Sequence, residues 1–165
     1  MNKQVILLNG PSSSGKSTLS RALKDLLGAQ ANQNFTIISI DDFMKLATDE
    51  TIYEDDVFEI SGDMCAAALK DLQTADGVIV DHVITSTRIY DQLIEMLGGY
   101  PILVVHVQCP LEVLLARENA RGNRCQGSAE ASYEYLYPKE GYDLTVDTHA
   151  MSTEACAAEI VRALK

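Results

Sequence analysis

The sequence predicts a doubly wound α/β domain with a five-stranded, mainly parallel sheet and helices on both faces. Three observations predict it: short Val- and Ile-rich apolar runs recur along the chain, segments of helical period separate them, and a glycine-rich turn follows the first run. The apolar runs are Gln4 to Asn9, Phe35 to Ile40, Gly77 to Val80 and Pro101 to Val107, with a weaker fifth at Leu144 to Val146 between Asp143 and Asp147. Nearly continuous hydrophobicity suits strands covered on both faces, as in a parallel sheet. Helical period marks Lys16 to Leu27, about Gly62 to Leu72, Arg88 to Leu97, Leu111 to Ala120 and a last helix starting near Ser152. Strands are followed by helix-length connections rather than tight turns, so right-handed crossovers between parallel strands are expected. Phe43 to Phe58 is acidic and interrupted, and Gly122 to Tyr142 is polar and tyrosine-rich, so neither fits a regular template. Irregular stretches of that length serve as lids or binding loops, and a lid is expected over about residues 121–142.

The 165 residues suffice for one well-buried domain over 1–165. With 24 acidic and 13 basic residues the net charge is -11, which repels polyanions and argues against nucleic acid as a partner. Cys65, Cys109, Cys125 and Cys156 show neither a CxxC pair nor zinc-ligand spacing and read as buried thiols in a reducing compartment. The apolar run Val5 to Leu8 is too short for a signal peptide, and no stretch reaches the roughly 18 apolar residues of a membrane span. A cytoplasmic location away from membranes is the expectation. No heptad pattern bears on oligomeric state, so a homo-oligomer stays open.

Gly10-Pro11-Ser12-Ser13-Ser14-Gly15-Lys16-Ser17-Thr18 satisfies GxxxxGK(S/T), with an apolar strand before it and an amphipathic helix after it. Glycines at 10 and 15 should allow backbone angles closed to other residues, turning successive amides toward a phosphate at the positive end of the helix. Lys16 would reach the β- and γ-phosphates, and the Ser17 hydroxyl would serve Mg²⁺, with Thr18 the next hydroxyl along.

In such sheets ligands lie beyond the carboxyl ends of the strands. The second strand runs into Asp41-Asp42 and the third into Asp81-His82. Phosphoryl transfer to a hydroxyl needs a carboxylate to receive the proton and a metal to bridge the phosphates. Asp41 is read as the base, Asp81 as a ligand of Mg²⁺ or its waters, and Asp42 as pointing away to cap the next helix. His82, His106 and His149 receive no role. Arg117, Arg121 and Arg124 cluster in an otherwise acidic chain, and Arg117 and Arg121 share a helix face. Planar guanidinium groups meet the charge that transfer spreads over phosphate oxygens, so these arginines are read as catalytic, carried on the lid.

Leu8-Asn9-Gly10 to Ser17, Asp41, Ile79-Val80-Asp81, Val107-Gln108-Cys109-Pro110, the RExxRGxR spacing of 117–124, Gly127, and Tyr142-Asp143 followed by Val146-Asp147-Thr148 together resemble the chloramphenicol phosphotransferase-like proteins. The resemblance covers nearly the whole chain. It implies a nucleoside-monophosphate-kinase-like fold, ATP as donor, a hydroxyl acceptor and Asp41 as base. Between Phe43 and Met64, where the acceptor is expected, it carries no matching motif. The leading expectation is therefore an ATP-dependent O-phosphotransferase acting on a small hydroxylated molecule. A nucleotide or other metabolite kinase of the same fold, and a regulatory nucleotide-binding module without turnover, stay open as alternatives.

Overall fold

The structure, a computed structural model, describes residues 3–44, 53–121 and 127–164. Five strands, β1 (Gln4–Asn9), β2 (Phe35–Ser39), β3 (Gly77–His82), β4 (Ile102–Gln108) and β5 (Leu144–Asp147), form one sheet in the order β2-β3-β1-β4-β5. All four neighbouring pairs are parallel, so the sheet is more uniform than the mainly parallel one expected.

Side chains alternate across β1. Val5 and Leu7 point into a core shared with helices α3 (Glu54–Asp71) and α4 (Thr87–Leu97), while Ile6 and Leu8 point into one shared with α1 (Lys16–Ala31) and α7 (Thr153–Ala163). Both faces of the central strand are thus buried, which is why its sequence is a continuous apolar run rather than an alternating one. Strand order reverses on either side of β1, opening a crevice at its carboxyl end.

Two expectations need correction. Residues 43–58 are not wholly irregular: α2 covers Ile40–Met44, and α3 begins at Glu54 rather than near Gly62. The acidity that suggested a loop is helix-initiating, since Glu54, Asp55 and Asp56 occupy the first turn of α3, where unpaired amides favour carboxylates. Ile40 consequently belongs to α2 and not to β2, and Asp41 and Asp42 both lie in the first turn of α2. Of the described part of 122–142, Ser128–Tyr135 forms helix α6, following α5 (Leu111–Arg121). Residues 45–52 and 122–126, and with them Arg124 and Cys125, lie outside the described residues.

The acids of α3 also brace the helix pair. Ser86, the N-cap of α4, donates to Glu54 Oε1 at 2.6 Å, and Arg88 donates to Asp55 Oδ1 at 2.8 Å while lying over the Phe58 ring. Cys65, Cys109 and Cys156 are buried free thiols, as expected.

Gly77 opens β3 between Phe35 of β2 and Gln4 of β1, its ladder partners: a Cβ there would come within 2.3 Å of the Phe35 ring and 2.6 Å of the Gln4 carbonyl oxygen. Backbone cannot yield as a flexible side chain can. Gly77→Ala should therefore destabilise the fold by about 1–3 kcal/mol, the usual cost of overpacking, with denaturant unfolding as the measurement.

Candidate active site

The carboxyl ends of β1, β2 and β3 and helices α1 and α5 enclose a cavity of about 620 Å³. Its floor is the phosphate loop. Gly15 has φ 92° and caps α1 without any side-chain hydrogen bond, leaving the first helical amides to an anion. The other left-handed residue of the loop is Ser13, at φ 72°. Gly10 is required for a different reason from the one its motif suggests. Its φ is not in the left-handed region, but a Cβ would lie 2.4 Å from the Val107 carbonyl oxygen, so the loop leaves β1 in contact with the backbone of β4. Two loop hydroxyls, Ser12 Oγ and Ser13 Oγ, are buried without a protein partner. Buried polar groups normally have partners, and a phosphate would supply them here.

Lys16 is buried against the loop, its Nζ donating to the Pro11 carbonyl at 2.9 Å. Across the cavity, Ser17 Oγ donates to Asp81 Oδ2 at 3.2 Å and Ser39 Oγ approaches the same oxygen at 3.5 Å. Burial pushes the Asp81 carboxyl above its ordinary pKa, opposed first by the Lys16 ammonium and aided by the charge of Asp41; hydrogen bonds from Ser17 and Ser39 pull it down. One hydroxyl and one carboxylate facing a phosphate cradle make a donor set suited to Mg²⁺, which takes one or two protein oxygens and completes its shell with phosphate and water. Asp41 lines the same cavity, on the side of β2.

Arg117 and Arg121 face the cavity from α5. Arg117 NH1 donates to the Ser13 carbonyl at 3.2 Å and to Thr148 Oγ1 at 3.3 Å, and the Thr148 hydroxyl donates to the Ser14 carbonyl at 2.6 Å. The structure thus brings Lys16, Ser17, Asp41, Asp81, Arg117 and Arg121 around one space, while Arg124 lies outside the described residues.

A family model described as chloramphenicol phosphotransferase-like protein matches residues 3–165. The chain belongs to the chloramphenicol phosphotransferase-like family. No curated protein sequence matches it. Among solved structures, the Mycobacterium tuberculosis APS kinase CysC, in complex with AMPPNP and APS, is similar with a TM-score of 0.78 and 18% identity over 99% of this chain and 98% of that one. A gluconokinase from Sinorhizobium meliloti 1021 gives 0.65 and 23% over 98% and 88%, and a Deinococcus radiodurans tunicamycin resistance protein gives 0.69 and 20% over 98% and 95%. At such identities the likeness is one of fold, and the fold is that of P-loop kinases.

Of the residues that pointed to this family, several hold the crevice together rather than line it. Tyr142 accepts from Asn9 Nδ2 at 3.0 Å and stacks on His106, Asp143 accepts from the Val104 amide at 2.8 Å, and Asp147 accepts from the amides of His149 and Ala150. Thr148 belongs to this motif, yet its contact with the loop is a site role that sequence reasoning missed. So is Ser39, an unremarkable strand residue whose place beside Asp81 depends on register. Arg21, Val83, Ala120 and Thr153 also line the cavity, with no sequence signal to mark them.

His82 is fully buried beneath the site. Its Nδ1 accepts from the Val83 amide at 2.8 Å, so Nε2 carries the proton and donates to Ser61 Oγ at 3.0 Å. Burial, with the Lys16 charge adding to it, lowers its pKa from 6.5 to about 4. In the unfolded chain the imidazole takes up a proton below pH 6.5 that the folded protein refuses until about pH 4. Stability should thus fall as pH drops through that window, by at most about 3 kcal/mol from this residue, and level off below it. Denaturant titrations in metal-free buffer at pH 7 and 4.5 measure the drop, which should shrink in His82→Gln.

Proposed function

We propose that this protein transfers the γ-phosphate of ATP to a hydroxyl group of a small molecule, in the cytoplasm. The observation carrying this reading is that one cavity is lined at once by the phosphate loop, by Asp41 and Asp81 at the ends of β2 and β3, and by Arg117 and Arg121. A phosphate-binding module without turnover has no use for carboxylates and arginines that line the same cavity as the loop.

In this reading the loop amides and Lys16 hold the β- and γ-phosphates, and Lys16 exchanges its bond to the Pro11 carbonyl for phosphate oxygens. Ser17 and Asp81 would hold Mg²⁺, which when bound neutralises charge on the phosphate oxygens. The acceptor hydroxyl lies against Asp41, its oxygen forms the bond to the γ-phosphorus as the bond to the β-γ bridging oxygen breaks, and its proton passes to the Asp41 carboxylate. ADP leaves. Arg121 offers its guanidinium to the charge that spreads over the transferring group, while Arg117 is tied to the Ser13 carbonyl and acts through the loop. The first acids of α3 do not serve the acceptor, because Glu54 and Asp55 are engaged by Ser86 and Arg88.

A panel of hydroxylated metabolites and antibiotics incubated with the protein and γ-labelled ATP should yield one labelled phosphoester. Absence of any labelled product across a wide panel, with ATP bound, would favour the regulatory reading instead. With the acceptor in hand, Asp41→Asn should retain ATP binding and lose transfer, whereas Lys16→Ala should weaken both; full transfer by Asp41→Asn removes the base assignment. Arg121→Ala should lower kcat by about tenfold or more, in line with other transition-state donors, and unchanged kinetics would return it to a solvated helix end.

A further inference from the structure

Helix α5 carries two functional stripes. Arg117 and Arg121, four residues apart, face the phosphate cavity. Leu114 and Glu118, also four apart, are buried on the neighbouring stripe, where Leu114 packs with Cys109 and Ala129. A carboxylate in such surroundings is costly unless its oxygens are satisfied, and Glu118, only 3% exposed, meets that demand through the start of α6. Its Oε1 accepts from the Ala129 amide at 2.9 Å and its Oε2 from the Gly127 amide at 3.4 Å. Gly127, the N-cap of α6, has φ 91° and no side chain to cap with, so Glu118 supplies from another helix what an N-cap side chain ordinarily supplies.

The middle of α6 closes the circuit. Ser132, one turn further along, accepts from the Ser12 amide of the phosphate loop at 2.9 Å and returns its own proton to the Ser128 carbonyl at 2.7 Å. The next loop residue, Ser13, receives Arg117, the residue beside Glu118. We infer that Glu118 is a positioning residue: it seats α6 and, through Ser132 and Arg117, closes a hydrogen-bonded ring that couples α6 to the conformation of the phosphate loop. No member of the ring moves without lengthening a bond elsewhere in it. Glu118 also sets the roll of α5, since its two amide contacts hold the stripe 114/118 against α6 and so direct 117 and 121 into the cavity. Coupling of this kind is reciprocal: a ligand that orders the loop steadies α6 to the same degree that α6 improves its binding. This nucleotide-linked consequence rests on the proposed function, whereas the ring itself does not.

The test is amide hydrogen exchange followed by NMR on the full chain, with Glu118→Gln, which keeps the shape but turns an NH₂ toward an N–H, and Ser132→Ala. Without ligand, Glu118→Gln should speed exchange of the Gly127, Ala129 and Ser12 amides by about tenfold, the loss expected for one hydrogen bond, while core amides such as Val80 keep their rates. Ser132→Ala should speed Ser12 alike. An unchanged Ser12 rate in Glu118→Gln overturns the inference. With a non-hydrolysable ATP analogue, the wild-type chain should show slower exchange at Gly127 and Ala129, and Glu118→Gln should bind the analogue about fivefold or more weakly. Slowing in the loop with none at Gly127 and Ala129 also overturns it. A wild-type chain that binds no analogue removes the nucleotide reading, and the ligand-free arm still decides the ring.

Discussion

The constraint on which the rest of the structure depends is the close approach of the phosphate loop to β4 at Gly10. Without a Cβ, Gly10 lets the chain turn out of β1 within van der Waals reach of the Val107 carbonyl. That contact sets where the loop starts, and the left-handed Gly15 sets where α1 begins. Between these two glycines the loop is suspended, and Thr148 and Arg117 support it from the β5 and α5 side by holding the Ser14 and Ser13 carbonyls. Holding the Ser14 carbonyl orients the peptide plane that carries the Gly15 amide, while the Ser12 and Ser14 amides are committed to Ser132 Oγ and the Pro11 carbonyl.

The crevice is lined by both signs of charge, Lys16, Arg117 and Arg121 together with Asp41 and Asp81. Asp81 sits nearest the lysine and deepest in the fold, with two hydroxyls on one of its oxygens. Asp41, in the first turn of α2, is exposed to solvent and so to whatever enters. The two carboxylates thus differ in depth more than in chemistry. Among the described residues no three His, Cys, Asp or Glu side chains converge as a cation cage. No described helix is long and apolar enough to cross a membrane.

Much of this was legible in the sequence because it is local. A glycine-bounded loop between an apolar run and an amphipathic helix announces itself, as do acids that terminate buried strands and arginines spaced along a helix. Contacts that depend on register or on distant partners were not legible. Ser39 reaches Asp81 because β2 and β3 pair with those residues side by side. Glu118 is buried, yet nothing in RExxRGxR distinguishes the residue facing the cavity from the one facing α6. The acidic start of α3 misled for a related reason, because charge near a helix terminus and charge in a loop look alike until the partner amides are known.

Asn9, the last residue of β1, has both polar atoms of its side chain committed to distant chain: Oδ1 accepts from the Ile84 amide at 2.9 Å, and Nδ2 donates to the Tyr137 carbonyl at 2.9 Å and the Tyr142 hydroxyl at 3.0 Å. The residue next to the phosphate loop thus reports on segments separated from it by up to 133 positions. A chain interrupted before Tyr137 retains every residue of the loop but leaves the buried Asn9 nitrogen without either acceptor, at a cost of about 1–3 kcal/mol. The residue that precedes the loop is therefore fully partnered only when the connection into β5 is in place.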